Sequence, residues 1–202
     1  MLWGARAELI DMQRDDRIIL LAKLARTPHS HLADVPEPKY RSILTVAAAS
    51  YGARPMPEAT VPTGFDPFAA ALFESIVEGA YLVATADGVF DDDERAAFER
   101  IVTYACGGAV PPGHVAELVA ELGAQLSQDG VDKRVERLAE GVQREEQALE
   151  VLRIAALIAQ VSQDVSDVER VVLAKIAAAC RLGEQAVDNA IADAKSLLST
   201  SA

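Results

Sequence analysis

ADGVFDDDER, residues 86–95, is the stretch of sequence that decides the fold. It lies between two apolar segments whose hydrophobic residues recur at helical spacing. Gly88 ends the first helix, and Asp91 followed by Glu94 makes an Asp-x-x-Glu capping box that begins the second. The stretch therefore predicts a tight junction between two helices, on which four aspartates and one glutamate are gathered.

The rest of the chain also predicts helices. Asp66 before Pro67 gives an N-cap followed by proline at the first helical position. Later breaks are expected at Gly107-Gly108, at Asp129-Gly130 and at Gly183, which we expect to cap the C-terminus of its helix. No segment shows the sustained alternation of β-strands. We predict an all-α fold, a compact bundle of about seven to nine helices.

The helix–junction–helix pattern occurs twice. Ser166 and Glu169 form a second capping box, 75 positions after Asp91 and Glu94. The flanking apolar stripes match at the same offset, which predicts a bundle of two similar helical halves. Residues identical at this offset are Ala80/Ala155, Leu82/Leu157, Ala84/Ala159, Asp92/Asp167, Glu94/Glu169, Arg95/Arg170 and Ile101/Ile176.

Proline content marks a domain boundary. Residues 1–65 are predicted to be a helical N-terminal extension, with a proline-rich linker over about residues 53–67, because proline at this density excludes a helix interior. Residues 66–202 then form the helical domain that contains both copies.

The net charge of the chain limits its possible partners. The formal net charge is −12, with 31 acidic residues against 19 basic ones, so phosphate backbones are repelled and nucleic acid is not expected to bind. An acidic surface suits cations or basic proteins.

The acidic N-terminal segment does not resemble a signal peptide, and the longest strongly apolar run, residues 18–22, is too short to cross a bilayer. We predict a cytoplasmic protein without direct membrane insertion.

Catalytic patterns are absent from the sequence. It contains no Ser/His/Asp or Cys/His arrangement, no glycine-rich phosphate loop and no HExxH motif, and it has three histidines in all. We therefore predict that the protein is not an enzyme. Cys106 and Cys180 end apolar stripes and are expected to be reduced, buried thiols.

The acidic junction has two interpretations. As an EF-hand loop it would place Gly88 at position six and Glu94 at the last position, but Val83 and Thr85 would occupy positions one and three, where carboxylates are needed. It is thus half of a calcium loop. Either its acids only cap and close helices, favoured by the helix dipole, or carboxylates from the second copy complete a site for Ca²⁺ or Mg²⁺.

These residues resemble the tellurite-resistance TerB family, which also forms the N-terminal module of some membrane-anchored DnaJ-like co-chaperones. The likeness rests on the apolar helix ending in residues 86–88, on the Val-Phe pair and acidic helix start that follow, and on the degenerate copy near Glu169. It covers about residues 66–198. It implies a compact all-helical fold of two similar halves with an acidic patch for a cation or a partner. The implied positions are Asp87, Asp91, Glu94, Asp164, Asp167 and Glu169.

The second copy departs from the family pattern, because Ser162-Gln163 replaces Asp-Gly. The resemblance implies cytoplasmic complexes that respond to metal, oxidant or phage stress, often near the inner face of the membrane. Our leading hypothesis is a non-enzymatic scaffold or sensor in a bacterial stress-response assembly with protein partners, where the acidic patch is an interaction site or a weak cation site. The alternatives are a divalent-cation-binding protein whose function is metal binding, and an adaptor that acts through residues 1–65.

Overall fold

The computed structural model describes residues 15–28, 42–54, 64–88, 90–160 and 165–201. These residues form eight helices and no strand, which confirms the predicted all-α bundle. Helix α1 comprises residues 15–25 of the described chain. The others are α2 Ile43–Gly52, α3 Pro67–Ala84, α4 Asp92–Ala105, α5 Pro112–Glu140, α6 Glu145–Ala159, α7 Asp167–Ala179 and α8 Ala186–Ser201.

Most helix ends lie where local sequence places them. The Asp66 side chain accepts hydrogen bonds from the backbone N–H of Phe68 at 2.9 Å and of Ala69 at 3.3 Å, which confirms the predicted N-cap of α3. Helix α5 is interrupted at Gly130, whose φ of +76° and ψ of 165° are not helical. Because glycine adopts positive φ without steric cost, the predicted break at this position is confirmed.

The C-terminal end of α7 differs from the prediction. Gly183 was expected to cap the helix, but the left-handed residue is Arg181, with a φ of +59°. The N–H of Leu182 donates to the carbonyl of Ala177 at 2.9 Å, which completes a Schellman motif around that arginine. The prediction of Gly183 as the cap is wrong, because it relied on the preference for glycine at this position. Here the hydrogen bonds of the Schellman motif outweigh the strain of a non-glycine residue in the left-handed conformation.

Helices α3 and α6 form the centre of the core and have the most extensive contact of any helix pair. Gly79 of α3 allows this close approach, since a Cβ added there would lie 2.8 Å from Cγ1 of Val151. Helix α3 is long and apolar enough to qualify as a membrane span by length and composition, but 67% of that window is buried inside the protein. A buried core helix accounts for the same composition.

Element boundaries follow the 75-residue offset. Helices α3 and α6 end at Ala84 and Ala159, and α4 and α7 begin at Asp92 and Asp167. The predicted division into two similar halves is therefore visible in the helices themselves: α3 and α4 form the first copy, and α6 and α7 form the second.

Helices α1 and α2 share this core. Leu21 of α1 and Ala47 of α2 are each 1% exposed and belong to the same hydrophobic cluster as α3 and α6. The described part of the N-terminal extension is thus packed on the helical domain. The boundary placed at residues 65 and 66 stays a prediction, and residues 55–63 of the proposed linker lie outside the described residues.

Candidate functional site: the acidic helix junction

The α3–α4 junction is built by local hydrogen bonds. Gly88, with a φ of +81°, turns the chain after α3. The N–H of Glu94 donates to Oδ1 of Asp91 at 2.8 Å, and the N–H of Asp91 donates to Oε2 of Glu94 at 3.1 Å. The predicted capping box is therefore present, and it fixes the first turn of α4.

Three aromatic rings hold the junction on the core. Tyr81, Phe90 and Phe98 contact one another edge to face, with centroid separations of 5.3 Å from Tyr81 to Phe90 and 5.9 Å from Tyr81 to Phe98. Burial raises the pKa of the Tyr81 phenol, although the nearby Arg95 guanidinium opposes the rise. The phenol is therefore neutral at physiological pH.

Acidic side chains cover the outer side of this junction. Asp87, Asp91, Asp92, Asp93 and Glu94 are all exposed, and the last three lie in the first turn of α4, where the helix dipole favours negative charge. We call these five residues the acidic junction. The nearest basic residue in sequence, Arg95, has its Nε hydrogen-bonded to Glu99 at 3.0 Å, one helical turn further along α4. The acidic junction is thus an exposed negative patch on a rigid base.

The second junction has the same hydrogen bonds and a different surface. The Ser166 N–H donates to Oε2 of Glu169 at 2.7 Å, and the Glu169 N–H donates to the Ser166 hydroxyl at 3.3 Å, so this predicted capping box is also confirmed. Valines 168 and 171 are exposed on α7. Asp167 lies in the first turn, whereas Asp164 lies outside the described residues.

The structure does not assemble the predicted cation ligands into a metal centre within the chain that it describes. No three His, Cys, Asp or Glu side chains there are placed to hold one ion. Asp91 and Glu94 are brought together, but by the capping box. Val83, at the first EF-hand position, is 0% exposed, and its side chain has no oxygen to offer an ion. Since Asp164 is not described, the six-carboxylate metal assignment stays a prediction.

Two buried ion pairs were not foreseen from the sequence. Arg153 and Glu150 of α6 are each 3% exposed at the side chain and are joined by a 2.8 Å bond from Nε to Oε2. Arg134 of α5 donates through Nε to Oε1 of Glu78 on α3 at 2.6 Å. Burial raises the pKa of Glu78, and the hydrogen bond from Arg134 opposes the rise. A charged residue inside an apolar run, such as Arg153 between Leu152 and Ile154, was the signal available.

The two cysteines carry no reactive thiolate. Cys106 is buried, and burial raises its pKa to about 12. Cys180 is partly buried and its pKa is also raised by burial. Both are free thiols, and both remain protonated at neutral pH.

Fold and site together define an all-helical module of two fused copies, in which one helix junction is strongly acidic. The family model described as "Tellurite resistance protein TerB" matches residues 74–192, which is more than half of the chain. The chain therefore belongs to the TerB family, as its sequence motif indicated. No curated protein and no solved structure matches it.

Proposed function

We propose that this protein is a non-enzymatic scaffold or sensor in a bacterial stress-response assembly, and that the acidic junction is its contact site. The stresses to which this assembly would respond are tellurite, metal, oxidant and phage stress. The partners we propose are proteins with a basic surface. The protein acts in the cytoplasm, where the assembly can lie at the inner face of the membrane.

The observation that supports this proposal is that the acidic junction combines a fixed base with exposed acidic side chains. Its base is fixed by an aromatic cluster and a capping box, while its five acids are exposed. The capping box needs only Asp91 and Glu94, so Asp87, Asp92 and Asp93 are not required to close it. Extra negative charge on a rigid, exposed base favours binding to a complementary positive surface.

Complementation of a strain that lacks the protein tests this function. The variant Asp87→Asn/Asp92→Asn/Asp93→Asn removes three charges and keeps the capping box. We expect it to fold normally and to lose the protection that the wild type gives against one of the stresses named above. The matched control, Glu145→Gln/Glu146→Gln/Glu184→Gln, removes three exposed acids elsewhere and should protect fully. Full protection by the first variant, or no stress phenotype in the deletion strain, would contradict the proposal.

A second candidate function is divalent-cation binding as the activity itself. It is favoured by the same exposed carboxylates, because Ca²⁺ and Mg²⁺ are bound through oxygen ligands. An ion at a hundred times its dissociation constant stabilises the folded state by about 2.7 kcal/mol. If cation binding is the function, Ca²⁺ or Mg²⁺ should raise the melting temperature of the wild type but not of Asp87→Asn/Glu94→Gln. The control Glu146→Gln, which changes an exposed acid in the first turn of α6, should respond as the wild type does.

The third candidate, an adaptor that acts through residues 1–65, receives its support from the packing of α1. That helix lies on the core through contacts that are separate from the acidic junction. Its arrangement leads to a more specific proposal.

A further inference from the structure

Helix α1 fills a groove between α4 and α6. The floor of the groove comes from α3, and a cavity of about 20 Å³ remains between α1, these three helices and Leu44 of α2. The buried face of α1 has the i, i+3, i+4, i+7 spacing of an amphipathic helix. Its residues are Ile18, Leu21, Ala22 and Ala25, all 4% exposed or less.

The two ends of α1 fix its direction. Near its start, Arg17 Nη2 donates to the carbonyl of Gln160, at the C-terminal end of α6, at 2.6 Å. At its end, Arg153 donates to the carbonyls of Leu24 and Ala25 at 3.2 and 3.0 Å. Helix α1 therefore runs antiparallel to α6, and its C-terminal carbonyls are received by the buried arginine.

An equivalent groove lies between α7 and α3, at the 75-residue offset. It is filled by the second segment of α5, residues 131–140, which follows the break at Gly130. Asp132 pairs with Lys175 of α7, while the Leu138 carbonyl accepts a hydrogen bond from the Ser75 hydroxyl of α3 at 3.0 Å. With Arg134 bound to Glu78, this segment runs antiparallel to α3, as α1 runs antiparallel to α6.

The anchoring residues are equivalent in the two grooves. Ser75 and Glu78 of α3 correspond to Glu150 and Arg153 of α6 at the same offset. At each pair of positions, a side chain donates a hydrogen bond to the helix that fills the groove. Ser75 donates to a main-chain carbonyl of the α5 segment, and Arg153 donates to two main-chain carbonyls of α1. The α4–α6 groove is thus the repeat counterpart of a groove that is built to hold a helix.

The two occupants differ in origin. Residues 131–140 lie inside the span that matches the TerB family, residues 74–192, whereas α1 lies outside it. Arg153 recognises main-chain carbonyls, which any helix ending at that point would present. Two polar contacts of the first turn of α1 involve partly exposed side chains: the hydrogen bond from Arg17 to the Gln160 carbonyl, and an ion pair from Asp15 to Arg100 at 2.7 Å. The partners of the ion pair are 48% and 43% exposed, and such pairs contribute little.

We propose that the α4–α6 groove is an exchangeable helix-binding site, which α1 fills within the chain and an amphipathic helix of a partner protein fills in its place. The partner helix has apolar residues at i, i+3, i+4 and i+7, an acidic residue in its first turn opposite Arg100, and an end whose carbonyls reach Arg153. This goes beyond the proposed function, because the groove is distinct from the acidic junction.

The full-length chain and a fluorescein-labelled peptide of residues 15–28 provide the test. Leu21→Ala in the chain weakens α1 in place, while the peptide keeps its own leucine. Because apparent affinity scales with the fraction of chains whose groove is open, we expect this variant to bind the peptide at least about tenfold more tightly than the wild type, measured by fluorescence anisotropy. The double variant Asp15→Ala/Arg17→Ala, confined to partly exposed side chains, should increase binding by a smaller factor.

Val135→Ala is the matched control, since it removes a buried side chain from the equivalent helix without opening the α4–α6 groove. It should bind the peptide no better than the wild type, and a peptide carrying Leu21→Asp should not bind any variant. The proposal is overturned if folded Leu21→Ala and Asp15→Ala/Arg17→Ala chains both fail to bind, or if Val135→Ala binds equally well. Either result leaves the stress-complementation test of the acidic junction unaffected.

Discussion

The two helix junctions share their hydrogen bonds and differ in their surfaces. Asp91 with Glu94, and Ser166 with Glu169, form the same capping box. Besides the two capping residues, the first junction exposes three further acids, Asp87, Asp92 and Asp93, whereas the start of α7 exposes Asp167 together with Val168 and Val171. Capping constrains two positions in each junction, so the remaining positions are free to differ in chemistry. This is why we propose an interaction site at the first junction and a structural role for the second.

The grooves show the same contrast on a larger scale. Glu78 and Arg153 occupy equivalent positions, yet one carries a negative and the other a positive charge. Glu78 binds the guanidinium of Arg134, while Arg153 binds both a carboxylate and two main-chain carbonyls.

Arg153→Met should be the most destabilising change. It leaves the buried Glu150 carboxylate with the Leu44 N–H, at 3.4 Å, in place of its charged partner, and it removes the donors to Leu24 and Ala25. Breaking a buried pair in this way costs about 3–5 kcal/mol. Arg134→Met should cost less, because its side chain is 13% exposed and water can reach it. Urea unfolding measures both. The double variant Glu150→Met/Arg153→Met should recover part of the loss, and a double variant no more stable than Arg153→Met would contradict this assignment.

Gly79→Ala tests the close contact of the two central helices. The added Cβ would lie 2.8 Å from Val151 Cγ1, so overpacking of about 1–3 kcal/mol should exceed the helix-propensity gain of about 1 kcal/mol. Gly113→Ala, in the first turn of α5 where a Cβ meets nothing within 4 Å, provides the control and should not destabilise. Thermal unfolding distinguishes them. If Gly79→Ala raises the melting temperature as much as the control does, the central packing described above is incorrect.

Asp91→Ala and Ser166→Ala test whether the two capping boxes are equivalent. Each removes the side chain that accepts the N3 N–H, at a cost of about 1 kcal/mol. Their free energies of unfolding should fall by similar amounts, with Asp91→Asn and Ser166→Thr close to the wild type. A loss of stability at only one junction would show that the two capping boxes do not contribute equally to the free energy of unfolding.

Glu78→Gln should change how stability depends on pH. Because burial raises the folded-state pKa of Glu78 above 4.5, the folded protein holds that proton more tightly than the unfolded chain. The contribution of Glu78 to the free energy of unfolding is therefore fully present below pH 4.5 and declines as pH rises through the folded pKa. Between pH 4 and 7, urea unfolding should show that the free energy of unfolding of Glu78→Gln falls less, or rises more, with pH than that of the wild type. Equal slopes would place the Glu78 pKa at its ordinary value.

Local sequence was sufficient for the junctions and insufficient for the grooves. The capping boxes and the break at Gly130 depend on residues within a few positions of one another, and all were predicted. The contact of Arg153 with Leu24 and Ala25 spans 128 to 129 positions, and periodicity carries no information on such pairing. Spacing alone also cannot place Asp91 and Glu94 relative to carboxylates of the second copy, so the sequence does not decide between capping and a cation site.

Native-state hydrogen exchange on the wild type tests most directly the claim that α1 is a separable occupant of an equivalent groove. We predict that the amides of α1 exchange by a local opening, with a free energy below that of the amides in residues 131–140 of α5. Amides of α1 that exchange only by the same global opening as those of residues 131–140 would contradict the account, since α1 would then be an inseparable part of the core.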